Sequence, residues 1–134
     1  MMESSFNILR TLHDKHFAIM ALLEKLETTL NGAKAAPASD NPDMNRLLGD
    51  LEAVLNEEIS HHYAFEEQHL FPLFAEFGDM GITQMLQGEH EIIRPLARDL
   101  SDRAKAGRKD GFSPESWEIF REKGLELVER EVFH

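Results

Sequence analysis

The sequence has 134 residues, of which 42% are hydrophobic, and a formal net charge of −11. This length suffices for one domain with a hydrophobic core, while the negative charge argues against nucleic acid or an anionic membrane surface as a partner. The absence of cysteine from the sequence excludes disulfides, thiolate metal sites and thiol nucleophiles. No apolar run approaches the ~18 residues of a membrane span and the N-terminus lacks the apolar core of a signal peptide, so a soluble cytoplasmic protein is expected.

Two helices are predicted in the first half of the chain. Apolar residues at helical spacing predict the first over residues 5–30, and Asn31-Gly32 is a typical end signal. The second is expected to begin with Asn41 as its N-cap and Pro42 at its first position. Because proline lacks a backbone donor, this helix should kink or stop near Pro72.

Two further helices are predicted in the second half. The third should begin near Thr83 and end at Gly107, with a kink at Pro95. Ser113-Pro114 repeats the cap-and-proline start, and the fourth helix should run to the chain end. Short connections favour antiparallel neighbours, so the predicted fold class is all-α, an up-down-up-down four-helix bundle.

The second helix carries an unusual run of polar residues, HHYAFEEQHLFP at 61–72. At about 100° per residue, His62 and Glu66 lie about 40° apart and one turn from each other, so they can meet the same metal ion. Glu58, one turn before His62, also faces inward. These residues continue an apolar stripe into the core, where polar groups need partners. A metal ion or a hydrogen-bonded core network would each satisfy them.

Other histidines and carboxylates of this run are expected to lie elsewhere. His61 and Glu67 are turned away from His62, which predicts surface or supporting roles, and removing either side chain should change metal binding little. His69 is nearly in line with His62 but about two turns further along the helix, ~10 Å away, which predicts a position at the rim. In the first helix, His13 lies one turn from His16 and is either a rim residue or a replacement ligand.

The two halves of the chain are similar in sequence to each other. Residues 14–26 align without gaps with residues 88–100, and this alignment matches His16 to His90. His62 follows His16 at nearly the same spacing at which His134 follows His90. In a bundle, these four histidines would converge from four helices.

The pattern formed by His16 and the HxxxE-E-x-x-LFP run of residues 62–72 resembles the hemerythrin-like HHE cation-binding domain, over nearly all of residues 1–134. The resemblance implies four helices around a non-haem di-iron centre, with Glu66 as a bridging carboxylate. The implied iron ligands are His16, His62, Glu66, His90 and His134, with Glu58 and His13 as potential substitutes. The expected ligand is a small diatomic molecule or peroxide. The expected role is to bind or sense oxygen, peroxide or nitric oxide, or to handle iron, rather than to act as an enzyme.

Two positions depart from the family pattern. Oxygen-carrying members have a second histidine four positions after the third-helix histidine, and Arg94 stands there. A carboxylate is also expected four positions after His134, where the sequence ends, so the domain is expected to be cut short within the fourth helix. Either more helix or a second copy of the chain, in a homodimer, would then cover the apolar end of the bundle.

Two alternatives stay open at this point. A ferritin-like carboxylate metal protein would use Glu-x-x-His pairs, which occur at Glu58/His61, Glu66/His69 and Glu131/His134. A metal-free four-helix interaction or phosphotransfer module would instead need one exposed, reactive histidine.

Overall fold

The computed structural model describes residues 5–78 and 80–133, with side chains for residues 14, 17–78 and 80–131. Over these residues the protein is all-helical, a helical bundle of four helices without a strand. Helix α1 is Ser5–Gly32, α2 is the continuous helix over residues 42–76, α3 is Met80–Asp110 and α4 is Pro114–Phe133. In the described part of the chain, no helix is both long and apolar enough to cross a membrane.

The predicted starts of α2 and α4 are confirmed by their caps. The Asn41 side chain accepts a hydrogen bond of 3.1 Å from the backbone N–H of Met44. At the start of α4, the backbone N–H of Ser116 donates to Ser113 Oγ at 3.0 Å, and the N–H of Ser113 donates back to Ser116 Oγ at 2.9 Å. These side chains satisfy backbone donors that the first helical turn leaves without intrahelical partners.

Three predicted helix ends were wrong by two or three residues, at the end of α1 and at both ends of α3. Helix α1 continues through Gly32, and α3 is longer at both ends than predicted. Pro72 does not stop α2, which continues to Glu76, and the prediction that Gly78 closes this segment is confirmed by the φ of 82° at Gly78. Pro72 directly follows the first residue after the π turn Glu66–Leu70, where the ladder of backbone hydrogen bonds changes from five-residue to four-residue spacing.

Helix α2 contains two π-helical turns, Glu58–His62 and Glu66–Leu70, around the short α-helical segment Tyr63–Phe65. The N–H of Tyr63 bonds to the carbonyl of Glu58, and the N–H of Phe71 bonds to the carbonyl of Glu66. Each bond spans five residues instead of four, so these turns hold more than the 3.6 residues of an α-helical turn. As a result, side chains four positions apart stay on one face, and the buried residues include Glu58, His62, Glu66 and Leu70.

The main core lies between the four helices. Helix α2 packs against α3, α3 against α4, and α4 against α1. The largest fully buried side chains in this core include Trp117, Phe120 and Tyr63. The indole N–H of Trp117 donates to the carbonyl of Ala33 at 3.0 Å, just beyond the end of α1.

Polar contacts fix how α2 and α3 meet along their length. Arg108 bonds to Glu52 at 2.7 Å, and Ser101 bonds to Asn56 at 3.2 Å. Nearer the start of α3, His90 faces Glu67 on α2. These contacts bring the polar face of α2 against His90.

Candidate metal centre

One carboxylate oxygen of Glu66 lies between two imidazoles from different helices. Oε1 of Glu66 is 3.0 Å from Nε2 of His62 on α2 and 3.5 Å from Nε2 of His90 on α3. All three residues are almost completely buried, with 2–3% of their surfaces exposed. The structure therefore brings together three of the five predicted ligands.

Glu58 adds a second buried carboxylate to this cluster. Its Oε2 lies 3.9 Å from Nε2 of His62, one helical turn away, and 4% of the residue is exposed. This position agrees with the inward orientation that the sequence predicted for Glu58.

The ring of His90 is held between aromatic side chains. Its centroid lies 4.7 Å from that of Tyr63 and 5.1 Å from that of Phe71, both with tilted geometry. Aromatic rings in contact prefer tilted or offset arrangements to face-to-face ones. These two contacts therefore limit the orientations that the imidazole of His90 can adopt.

Tyr63 also reaches across the core to α4. Its hydroxyl donates to Oε1 of Glu131 at 2.6 Å, and both residues are buried. Burial raises the pKa of Tyr63 far above its usual value, and the negative charge of Glu131 and this hydrogen bond raise the pKa further. Tyr63 therefore stays protonated as a donor. Sequence reasoning did not assign Tyr63 to the site, although it directly follows His62.

Glu67 binds two residues of α3. Its Oε1 lies 3.1 Å from Nδ1 of His90 and accepts a hydrogen bond of 2.8 Å from Nη2 of Arg94. The Arg94 guanidinium in turn lies 5.6 Å from the centroid of the Tyr63 ring. The sequence predicts a surface or supporting role for Glu67, and the structure places the Glu67 carboxylate beside Nδ1 of His90, on the side of the ring away from Glu66.

His61 and His69 do not join the cluster. The His61 side chain is 68% exposed, and its Nδ1 lies 3.1 Å from Oε2 of Glu57. His69 is exposed and packs on Phe65, with ring centroids 4.8 Å apart. The expectation that His69 lies nearly in line with His62 was wrong, because the π turns reduce the rotation per residue between them. Two of the three Glu-x-x-His pairs of the ferritin-like alternative thus lack an inward histidine.

Three predicted residues lie outside the described side chains. His13 and His16 belong to α1, but only their backbone is described, and His134 is not among the described residues. Their roles as ligands, like those of His62, Glu66 and His90, stay predictions.

The donor set suits iron, since imidazole and carboxylate are the side chains that non-haem iron sites use. Among the side chains that the structure describes, however, no group of three or more His, Asp or Glu is placed to hold a metal ion. The separations of Glu66 Oε1 from Nε2 of His62 (3.0 Å) and of His90 (3.5 Å) are contacts between pairs of side chains. The described residues thus form the α2 and α3 part of the predicted ligand set.

A small cavity reaches the same cluster from outside. It measures about 230 Å³ and lies between α1 and α2. Its walls are mostly apolar, formed by Ala18, Ile19, Ala53 and Val54, and it borders both Glu58 and His62.

The family model of hemerythrin, described as the hemerythrin HHE cation-binding domain, matches this chain over residues 4–132. No curated protein and no solved structure matches it.

Proposed function

This chain belongs to the hemerythrin HHE cation-binding domain family, and we propose that it is a non-haem iron protein of the di-iron type. One observation carries the proposal: a single buried oxygen of Glu66 faces the Nε2 atoms of His62 and His90, which come from two different helices. A buried carboxylate between two imidazoles is unfavourable unless charge is compensated, and a bound cation compensates it.

Five residues would hold the iron in this proposal. His62, Glu66 and His90 contribute from α2 and α3, Glu66 as a bridging carboxylate, while His16 and His134 complete the set from the first and fourth helices. Glu58 is the nearest described substitute, and His13 is a second. Iron bound here would supply open coordination positions for oxygen, peroxide or nitric oxide.

The protein itself would bury and orient these ligands. The rings of Tyr63 and Phe71 pack against His90, and the hydroxyl of Tyr63 is directed to Glu131. The mostly apolar cavity beside Glu58 and His62 supports a small, weakly polar ligand as the molecule that is bound. A binding or sensing role, rather than an enzymatic one, is therefore our proposal.

We also infer that the four helices are arranged up-down-up-down. Later residues of α3 contact earlier residues of α2, as in the pairs Arg108–Glu52 and His90–Glu67, and this pattern supports antiparallel neighbours. Similarly, Arg121 of α4 bonds to the carbonyl of Leu30 near the end of α1.

A second copy of the chain is the proposed partner. Four large apolar residues between the end of α2 and the first half of α3 are exposed: Phe77 (77%), Met80 (53%), Ile82 (40%) and Met85 (57%). Apolar surface that is exposed in a contiguous patch usually marks an interaction site, and the closeness of these four residues in the chain supports such a patch. Sedimentation of the wild type and of a Met80→Lys/Met85→Lys variant tests this, with a dimer expected only for the wild type. A monomeric wild type would contradict the proposal.

Metal analysis tests the function itself. Protein purified from iron-replete cells should contain iron and absorb visible light. Alanine at His62 or Glu66 should remove most of the iron, whereas alanine at the exposed neighbour His61 should leave the iron content unchanged. Colourless, iron-free wild-type protein would contradict the proposal and favour a metal-free interaction module, and equal losses from all three variants would contradict the assignment of ligands.

A further inference from the structure

We propose that Glu67 and Arg94 are positioning residues for His90: Glu67 accepts the Nδ1–H of His90, and Arg94 holds Glu67 in place. The relevant distances are 3.1 Å from His90 Nδ1 to Glu67 Oε1 and 2.8 Å from Arg94 Nη2 to the same oxygen. Where it concerns metal affinity, this inference rests on the proposed function.

The hydrogen-bonding capacities of the three groups determine the tautomer of His90. A guanidinium only donates, and an ionised carboxylate only accepts, so Glu67 Oε1 is the acceptor in both contacts. His90 must therefore donate from Nδ1. A neutral imidazole has one N–H, so its Nε2 then has the lone pair with which histidine binds a metal ion. That Nε2 is the atom that faces Glu66 at 3.5 Å.

Arg94 lies where it can restrict Glu67. The Glu67 side chain is 38% exposed, so on its own it would sample several rotamers. Arg94 is one turn after His90 on α3, and its guanidinium lies over the Tyr63 ring at 5.6 Å. This contact of a cation with a buried aromatic ring restricts Arg94, and the ion pair with Arg94 then restricts Glu67.

This arrangement gives Arg94 a specific role at the position that is a histidine in oxygen-carrying members of the family. The arginine contributes no metal-binding lone pair, because its nitrogens do not give up their protons. It instead supports the neighbouring histidine through a carboxylate. Groups that bind the second nitrogen of a metal-binding histidine typically change metal affinity by about 10–100-fold.

The first experiment titrates Co²⁺, a coloured probe, into the full chain. In contrast to the expectation from the sequence that removing Glu67 changes metal binding little, Glu67→Ala should weaken Co²⁺ binding by about 10–100-fold, and Arg94→Ala should weaken it by less. Glu67→Gln should largely restore it, because the amide oxygen still accepts from Nδ1. The matched control is Glu57→Ala, which removes a carboxylate from the same kind of contact, 3.1 Å from His61 Nδ1, on the surface, and should have no effect. Wild-type affinity in Glu67→Ala would overturn the proposal.

The second experiment needs no metal and separates this inference from the proposed function. Nitrogen NMR of the metal-free protein at about pH 8, above the usual histidine pKa, reports which ring nitrogen carries the proton. His90 should be protonated at Nδ1 in the wild type and in Glu67→Gln, and should become a mixture of tautomers in Glu67→Ala. If the wild type binds no Co²⁺ but the tautomer of His90 differs between the wild type and Glu67→Ala in this way, the metal proposal fails and the positioning role stands. An unchanged tautomer in Glu67→Ala would overturn the positioning role whether or not metal binds.

Discussion

The hydroxyl of Tyr63 donates a hydrogen bond of 2.6 Å to Oε1 of Glu131, a residue 68 positions later in the chain. The contact connects α2 with α4 through the core, beside the candidate metal ligands. Tyr63 also packs against His90 and lies under Arg94. A single side chain thereby contacts residues of α3 and α4 and holds them around the cluster.

Removing the Tyr63 hydroxyl should destabilise the protein. In Tyr63→Phe the buried Glu131 carboxylate loses this donor, and such losses cost about 1–3 kcal/mol of the free energy of unfolding. Urea denaturation measures the change. In a Glu131→Leu background the same substitution should cost clearly less, because replacing both partners by apolar groups is nearly neutral. An equal cost in both backgrounds would show that the hydrogen bond is not the cause.

The ionisation of Tyr63 should be delayed to high pH. Tyr63 is the only tyrosine in the sequence, so tyrosinate absorbance reports on it alone. Burial, followed by Glu131, raises its pKa in the folded state, so the stability that this group contributes is complete below about pH 10, the unfolded value. That contribution is lost as pH rises above this value, because only the unfolded state releases the proton there. Folded protein should show no tyrosinate absorbance at about pH 10, whereas urea-unfolded protein should show it. Ionisation of Tyr63 at the usual pH in folded protein would contradict its buried position.

Iron should stabilise the fold. A ligand that binds only the folded state adds about 4 kcal/mol at a thousandfold excess over its dissociation constant. Anaerobic addition of Fe²⁺ should therefore raise the melting temperature of the wild type, and a chelator should lower it again. The variant His62→Ala should respond much less, while His61→Ala should behave as the wild type does. A melting temperature indifferent to both iron and chelator would count against the centre.

Gly107 should not tolerate a side chain. A Cβ at this position in α3 would overlap the ring of Phe112, which packs 5.1 Å from Trp117 between ring centroids. Gly107→Ala should therefore destabilise the protein by about 1–3 kcal/mol, the usual cost of overpacking. Gly88→Ala is the control: its Cβ would meet nothing within 4 Å, and the change should stabilise the helix by about 0.5–1 kcal/mol. Equal effects in thermal denaturation would show that the contact with Phe112 is unimportant.

The starts of α2 and α4 could be predicted because their signals are local. Asn41-Pro42 and Ser113-Pro114 combine a capping side chain with a proline that needs no donor, and both helices begin there. The inward position of His62 and Glu66 was also predictable from their one-turn spacing and from the apolar stripe that precedes them.

The contacts between helices could not be predicted in the same way. That Glu67 meets His90 depends on how far α2 and α3 are shifted along each other, and periodicity within one helix carries no such information. The π turns were also missed, because residues 58–70 have no proline or glycine to mark them. The exposure of His69 follows from those turns. The ligand roles of all five residues, the extent of the domain and a cytoplasmic location stay predictions.

The two π turns of α2 also determine where this helix can lose a residue without disturbing the packing on either side. A π turn accommodates one additional residue while the helix on either side keeps its orientation. A chain shorter by one residue within Glu58–His62 or Glu66–Leu70 could close that turn as regular α-helix, with Leu55 and Phe71 still directed into the core. In α3, by contrast, one deleted residue would rotate everything beyond it by about 100° and turn His90 away from Glu66. A deletion of one residue should therefore disturb the packing of the rest of its helix less in these turns of α2 than in α3.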